Sequence, residues 1–253
     1  MQISHEVPTT LLELSRTFND YDYALVHLFE TNSDYYNFFK QSLAMGREVI
    51  LDNSVFELGA AFDATEYKHW INELAPTYYI IPDVLDNAEQ TIANILAWEN
   101  DSPSKTIGVI QGSTLEEATN CYEQIKDHVD RLAISFNCKF YESNSDMHIL
   151  QQWMTGRQNF IEHLRELGIK KDVHLLGCSL PQEFIAYKNP KYDFIKSVDT
   201  SNPIVHAINN IEYTSSGLET KVSTKLIEYM NVQDINQDIL GRNIQLFRSF
   251  CNG

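Results

Sequence analysis

The sequence has little basic charge and lacks any long apolar run. It holds 19 Lys and Arg against 35 Asp and Glu in 253 residues, a formal net charge of −16. A surface this acidic repels a phosphate backbone unless its basic residues are clustered. No apolar run approaches the ~20 residues that span a bilayer, and the N-terminus lacks the basic-then-apolar order of a signal peptide. We therefore expect a cytoplasmic protein with no membrane partner.

Cysteine and glycine motifs are also scarce. The four cysteines are widely spaced with no CxxC pair, which indicates neither a disulfide framework nor a zinc site. Buried free thiols are the expectation for such cysteines. No GxGxxG segment follows any strand-like run, and this disfavours a dinucleotide-binding fold. The sequence therefore indicates no metal and no cofactor.

What the sequence does contain is an alternation of strand-like and helix-like segments, typical of a βαβ chain. Strand-like runs lie at residues 23–29, 48–52, 78–82, 106–111, 131–136, 173–177 and 194–198. Helical stretches lie at residues 34–45, 64–74, 88–98, 114–129, 147–167, 182–187 and 235–250. Residues 202–224 hold an eighth strand or none. This pattern favours a (β/α)₈ TIM-like barrel in the α/β class, with residues 1–253 forming a single domain.

Polar residues and glycines follow the strand-like runs, where barrel enzymes place their active sites. They are Asp52, Asn53, Ser54, Asp83, Gln111, Gly112, Asn137, Gly177, Cys178, Ser179, Asp199, Thr200 and Ser201. Three carboxylates at one rim, from Asp52, Asp83 and Asp199, would raise at least one pKa unless a ligand or a proton separated them. Each aspartate could instead cap the helix that follows it.

The types of these residues suit chemistry at an anomeric carbon. Of Asp52 and Asp199, one carboxylate can act as nucleophile while the other moves a proton. Gln111 offers an amide donor and acceptor for the edge of a planar heterocycle. Gly112 and Gly177 would let a flat ligand approach the backbone closely. From the residues alone, we expect a barrel enzyme with a carboxylate-rich pocket.

Five of these segments, taken in order, resemble the tRNA-guanine transglycosylase (queuine/archaeosine tRNA-ribosyltransferase) family. They are LDNSVFE (51–57), IPDV (81–84), GVIQG (108–112), HLLGC (174–178) and SVDTS (197–201). GVIQG is the most specific, and the match spans roughly residues 49–201. The resemblance implies base exchange: an enzyme carboxylate displaces guanine from C1′, and a 7-deazaguanine then attacks the same carbon.

The resemblance also implies a role for individual residues. Asp199 would be the nucleophile, Asp52 the proton shuttle, and Asp83 with Gln111 the readers of the base edge. Backbone groups near Ala133 and Ile134 would stand where the family uses a glycine pair against the base. The other residues expected to bind substrate are Asn53, Ser54, Phe56, Gly112 and Gly177.

The chain departs from the family pattern at several points. Asn53-Ser54-Val55 stands where the family has Ser-Gly or Gly-Gly, Glu57 replaces Gln, and only Cys251 lies in the region of the family's zinc cluster. Such losses resemble the short relatives found in bacteriophages and DNA-modification clusters. We therefore expect nucleic acid, DNA above tRNA, and a 7-deazaguanine base as partners. Because family members often pair, a homodimer or a partner subunit is also implied.

Binding DNA would require a local basic patch and aromatic side chains that stack on a flipped base. The basic candidates are Lys139, Arg157, Arg165, Lys170, Lys171, Lys188, Lys191 and Lys196, and the aromatic ones are Phe56, Phe136 and Tyr141. Core packing is the stronger expectation for Phe136. Two alternatives stay open: a hydrolase or transferase acting on free nucleosides or nucleotides, and a non-catalytic barrel subunit of a transglycosylase complex.

Overall fold

Strands and helices alternate along the chain as the sequence predicts. The computed structural model describes residues 1–142, 146–223, 226–232 and 235–252, and within them eight strands form. They are β1 (Gln2–Ser4), β2 (Asp22–Leu25), β3 (Val49–Asp52), β4 (Tyr78–Ile80), β5 (Lys105–Val109), β6 (Arg131–Ser135), β7 (Val173–Leu176) and β8 (Ile195–Asp199). All the strand pairs described below are parallel. The prediction of a (β/α)₈ TIM-like fold is confirmed.

Helices follow most of the strands. The α-helices are α1 (Leu12–Ser15), α2 (Ser33–Ala44), α3 (Val55–Leu58), α4 (Ala64–Leu74), α5 (Ala88–Ala97), α6 (Leu115–Ile125), α7 (Ile149–Glu166), α8 (Asn202–Ile208) and α9 (Gln237–Asn252). Short 3₁₀ helices lie at Thr9–Leu11, Val26–Leu28, Lys139–Tyr141, Pro181–Lys188, Pro190–Tyr192 and Leu226–Glu228. None of the described helices is both long and apolar enough to cross a membrane.

The chain divides into two compact units, Tyr21–Ile134 and Met1–Asp20 with Ser135–Gly253. In the first unit β2, β3, β4, β5 and β6 lie side by side in chain order, all parallel. Their side chains are almost entirely buried on both faces, as in a parallel sheet covered by helices. The single domain over residues 1–253 stays a prediction.

In the second unit β1 and β7 flank β8, and both pairs are parallel. β1 is the eighth strand, and of the two alternatives left open for residues 202–224, the described part of that segment holds no strand of the sheet. The described part of that segment contains α8 and an isolated bridge between Thr214 and Gly217, while Thr224 lies outside the described residues. A strand of three residues is too short to show a period in the sequence, which is why β1 was missed.

Several strands and helices differ in extent or type from those that the sequence predicts. The run at residues 23–29 divides into β2 and a 3₁₀ helix, and residues 182–187 form 3₁₀ rather than α-helix. The helix expected at 114–129 ends earlier, at Ile125. At its start the Thr114 hydroxyl accepts from the Glu117 N–H, and the Glu117 carboxylate accepts from the Ser113 N–H. Gly168 follows α7 with φ +80°, the left-handed conformation that commonly ends a helix. All four cysteines are buried.

Candidate active site

Asp52 ends β3 and is held from two sides. Its Oδ2 accepts a hydrogen bond from the Tyr23 hydroxyl at 2.7 Å, and its Oδ1 accepts from the Ser54 backbone N–H at 2.5 Å. The carboxylate therefore closes the turn into α3 without capping that helix. Tyr23 was not among the predicted site residues, because an aromatic residue inside a strand-like run is indistinguishable from core.

Ser54 has the backbone conformation of a glycine. Its φ is +61°, in the left-handed region that an L side chain adopts at a cost of about 1 kcal/mol or more. Its hydroxyl lies 2.8 Å from Nδ1 of His27, which holds the strained residue in place. Ser54 stands where the resemblance expects glycine, so the turn keeps glycine-like geometry although the residue has changed.

Asp83 lies at the centre of a closed hydrogen-bonded group. Its Oδ1 accepts from Asn53 Nδ2 at 2.7 Å, and its Oδ2 accepts from Gln111 Nε2 at 2.6 Å. The other amide atoms are also bonded: Gln111 Oε1 accepts from the Asp86 N–H, and Asn53 Oδ1 accepts from the Val55 N–H. The structure thus brings together three residues predicted to bind the base, and it bonds them to one another.

Burial controls the protonation of this group. Asp83 and Gln111 are each only 2% exposed. Desolvation raises the pKa of the Asp83 carboxyl, while the hydrogen bonds from Asn53 and Gln111 oppose that rise. A planar ligand with donor groups on one edge could take the place of either amide at this carboxylate.

Asp199 ends β8 in the other unit and has a different set of partners. Its Oδ1 lies 3.0 Å from His174 Nε2 and 3.4 Å from the Gly177 backbone N–H. His174 in β7 lies opposite Ser197 in β8, and the Ser197 hydroxyl is 2.9 Å from His174 Nδ1. Since Nε2 donates to the carboxylate, Nδ1 is the acceptor and the hydroxyl donates to it.

The carboxylate of Asp199 is asymmetric. Both hydrogen bonds end on Oδ1, and within the residues that the structure describes Oδ2 has no hydrogen-bond partner. Asp199 is 4% exposed, and the imidazole behind it is fully buried. The arrangement fixes one oxygen and leaves the lone pairs of the other for a ligand atom. Neither Asp199 nor Asp83 caps a helix.

A buried ion pair supports the turn that follows β7. Arg157 Nε and Nη2 contact the two carboxylate oxygens of Glu183 at 2.6 and 2.9 Å, and both side chains are fully buried. Arg157 also donates to the carbonyl oxygens of Leu176 and Gly177. The expectation that Arg157 contributes to a basic surface patch is therefore wrong, because its guanidinium is buried and paired with Glu183.

Other predicted residues have structural roles that the sequence did not reveal. A Cβ at Gly112 would lie 2.5 Å from the backbone N of Ala118, so glycine permits the close approach of α6. Ala133 and Ile134 are buried in β6, where the Ala133 carbonyl accepts from the Ile110 N–H. Tyr141 is buried against Gly156, which removes it as a stacking candidate. Phe56 is half-buried in α3, and its role at a ligand stays a prediction.

No residue cluster in the described ranges groups three His, Cys, Asp or Glu side chains in a way that could hold a metal ion. No protein-family model matches the chain, and no curated protein matches its sequence.

Among solved structures, the chain is similar to tryptophan synthase subunit alpha from Legionella pneumophila str. Paris, with a TM-score of 0.46 and 12% identity over 97% of this chain and 99% of that one. It is also similar to an enolase protein from the environmental genome shotgun sequencing of the Sargasso Sea, with a TM-score of 0.42 and 8% identity. That match covers 79% of this chain and 52% of the enolase chain, so the chain spans about half the length of the enolase. Neither protein is named as a transglycosylase.

Proposed function

We propose that this protein is a base-exchange pentosyltransferase that replaces guanine by a 7-deazaguanine derivative in nucleic acid, with DNA favoured over tRNA. The observation that carries the proposal is the asymmetric carboxylate of Asp199. It ends a strand, His174 and Gly177 fix one of its oxygens, and the other has no protein partner in the described ranges. A nucleophilic carboxylate needs this combination of orientation and an available oxygen.

The proposed reaction has two displacements at one carbon. In the first, Asp199 Oδ2 attacks C1′, the C1′–N9 bond breaks with its electron pair going to guanine, and N9 takes a proton from the Asp52 carboxyl. In the second, N9 of the incoming base loses its proton to Asp52 and attacks C1′, and the bond to Asp199 breaks. Two inversions give overall retention, and the proton returns to Asp52.

His174 and Ser197 are positioning residues in this scheme. The imidazole N–H holds Oδ1, so Asp199 has little rotational freedom to lose when Oδ2 attacks. The Ser197 hydroxyl in turn keeps the imidazole in the tautomer that donates. Because the bond to His174 stabilises negative charge on Asp199, it also helps the carboxylate to leave in the second displacement.

Asp83 and Gln111 are suited to recognise guanine. The Watson–Crick edge of guanine carries two donors, N1–H and the N2 amino group, beside the O6 acceptor. An ionised Asp83 accepts from the donors and Gln111 Nε2 donates to O6, in place of the bond that now joins the two side chains. A 7-deazaguanine presents the same edge, so one set of side chains serves both the leaving and the incoming base.

Nucleoside mass spectrometry tests the proposal. The protein is incubated with DNA, with tRNA or with free nucleosides, each with isotope-labelled guanine and a mixture of 7-deazaguanines. Wild type is compared with Asp199→Ala and with Asp193→Ala, a control whose aspartate is exposed just before β8. We expect label in DNA with wild type and with the control, and none with Asp199→Ala.

Other outcomes of this experiment select the other candidates. Label in tRNA alone would reassign the polymer. Release of base from free nucleosides, with no dependence on a polymer, would select a nucleoside hydrolase or transferase. Label in no substrate, with a folded protein, would favour a non-catalytic subunit. Unchanged exchange in Asp199→Ala would exclude the proposed nucleophile.

A further inference from the structure

Lys221 is a cation without a matching anion. Within the described ranges its ammonium forms no ion pair; it donates to the Cys178 carbonyl oxygen at 3.0 Å and lies over the Phe136 ring, 4.1 Å from the centroid. The side chain is half-buried. The chain has 35 acidic residues, yet in the described part of the chain this ammonium contacts only a carbonyl oxygen and an aromatic ring. Removing its charge from water costs free energy unless an anion binds beside it.

The titratable groups around Lys221 do not supply that anion. Burial raises the pKa of the Cys178 thiol to about 12, so the thiol is neutral at physiological pH. Glu183 attracts the ammonium, but it is already paired with Arg157, whose repulsion of the ammonium is the larger of the two effects. Burial lowers the pKa of the His206 imidazole and so favours its neutral form, which offers the ammonium no negative charge. Desolvation consequently lowers the pKa of Lys221 to about 8.

The position of Lys221 is fixed by the chain before it. Gln182 Nε2 donates to the Leu218 carbonyl at 2.7 Å, and Gln182 Oε1 accepts from the Leu218 N–H at 3.0 Å. These two bonds tie the segment to the 3₁₀ helix that follows β7. The ammonium is therefore presented at a defined place, as a preorganised binding group requires.

This place adjoins the proposed nucleophile through direct contacts. The Phe136 ring packs on Gly177 so closely that a Cβ there would lie 2.5 Å from Phe136 Cδ1, and the Gly177 N–H donates to Asp199. Gly177 thus hydrogen-bonds the carboxylate through its backbone N–H and has no room for a side chain beside the ring beneath Lys221. A nucleotide whose sugar is bound to Asp199 carries phosphates next to that sugar, and these phosphates are the anions that Lys221 could bind.

We infer that Lys221, seated on Phe136 at the carboxyl end of β7, forms a phosphate subsite for the nucleotide whose sugar Asp199 attacks. This inference rests on the proposed function for the identity of the sugar, but phosphate binding can be measured without turnover. The phosphate is either an internal phosphodiester of a strand or the terminal phosphate of a free nucleotide, and both present the same anionic oxygens to the ammonium.

Binding to a fluorescent single-stranded oligodeoxynucleotide that contains one guanosine tests the inference. The full chain carries Asp199→Asn so that no covalent adduct forms, and anisotropy is measured over a range of salt concentrations. Lys221→Met is compared with Lys221→Arg, which keeps the charge, and with Lys40→Met, which removes an exposed lysine of α2. Guanosine 5′-monophosphate and guanosine serve as competitors.

We expect Lys221→Met to weaken oligonucleotide binding about tenfold, the effect of one charge-assisted hydrogen bond. The slope of log K against log salt should fall in magnitude by about 0.7, the value for one phosphate contact with a single strand. Lys221→Arg should keep the parent slope, Lys40→Met should keep both slope and affinity, and competition by guanosine should be unchanged. If the monophosphate loses affinity in parallel with the oligonucleotide, the terminal phosphate is the ligand; if only the oligonucleotide loses it, the ligand is a phosphodiester.

Parent affinity and slope in Lys221→Met would overturn the inference. So would an equal loss of guanosine binding, which would show that Lys221 supports the shape of the pocket. If wild type exchanges no base but oligonucleotide binding depends on Lys221, the proposed function fails and the subsite stands. If exchange proceeds while Lys221→Met binds like its parent, the subsite alone fails.

Discussion

Asp83 and Asp199 are both buried aspartates at the carboxyl end of a strand, yet they are bonded in opposite ways. They are 2% and 4% exposed, so burial does not distinguish them. Asp83 accepts an amide hydrogen bond on each oxygen, whereas both partners of Asp199 lie on one oxygen. A carboxylate saturated by neutral donors suits recognition, and one held by a single oxygen suits attack. The bonding of each oxygen, rather than residue type or depth, therefore distinguishes the two proposed roles.

The largest effect is expected when the carboxylate of Asp199 is replaced. Asp199→Asn removes the nucleophile with little change of shape, and we expect kcat for base exchange to fall roughly 10⁴-fold or more. Asp83→Asn exchanges one acceptor oxygen for a donor that faces Asn53 or Gln111, and we expect mainly a higher KM for the base. Steady-state kinetics of both variants checks the split. Equal losses of kcat would mean that the two carboxylates do not differ in role.

A second large effect concerns the support behind Gly177. Arg157→Met leaves the buried Glu183 carboxylate without its cationic partner, with only the Tyr187 hydroxyl, among the described residues, bonded to it, which should lower the free energy of unfolding by about 3–5 kcal/mol. Urea unfolding followed by circular dichroism measures this loss. Arg165→Met is the matched control, because the pair of Arg165 with Glu162 is about one-third exposed and should contribute less than about 1 kcal/mol. A similar loss in both variants would contradict a special role for the buried pair.

A smaller effect sharpens the assignment of His174 as a positioning residue. His174→Gln keeps an N–H that can reach Asp199 but loses the bond to Ser197, and we expect kcat to fall about tenfold to a hundredfold with little change in KM. Thermal melting of the variant distinguishes a loss of orientation from a loss of fold. If KM rises while kcat stays unchanged, His174 contributes to substrate binding instead.

The smallest effect tests how burial acts on charge near the end of β8. His5 donates from Nδ1 to the Thr200 carbonyl, and desolvation lowers its pKa from 6.5 to about 4. The folded state holds His5 neutral, whereas the unfolded state binds a proton there below pH 6.5. The free energy of unfolding is therefore highest above pH 6.5 and decreases as the pH falls from 6.5 towards 4. At pH 5 the loss should be about 2 kcal/mol.

Urea unfolding at pH 7.5 and pH 5.0 measures this dependence, and His5→Gln should reduce it. An equal dependence on pH in wild type and His5→Gln would assign the acid sensitivity to other groups.

The sequence predicted the strands that carry the candidate site because each lies in a run rich in β-branched or aromatic residues that is followed by a polar residue or a glycine. It therefore located Asp52, Asp83, Gln111 and Asp199 at strand ends. It did not reveal their partners, since hydrogen bonds between strands depend on register. His174 meets Ser197 only because of the pairing of β7 with β8, which contains an irregularity between Val173 and His174.

Two further features were beyond reach of the sequence for different reasons. Serine rarely adopts the left-handed conformation that Ser54 has, so the sequence predicted a changed turn. The structure shows that the backbone there has the conformation typical of glycine. Arg157 has the appearance of a surface cation, and only the position of Glu183 on a separate element explains its burial.

The most direct test of the central claim is a search for the covalent adduct on Asp199. Wild-type protein is mixed with a labelled guanosine-containing DNA oligonucleotide, denatured in detergent, and examined by gel electrophoresis and by mass spectrometry of its peptides. We expect a detergent-stable protein–DNA complex whose bond lies on the peptide that contains Asp199, and no complex with Asp199→Asn. A complex that persists in Asp199→Asn, or an adduct on the peptide that contains Asp52, would contradict that claim.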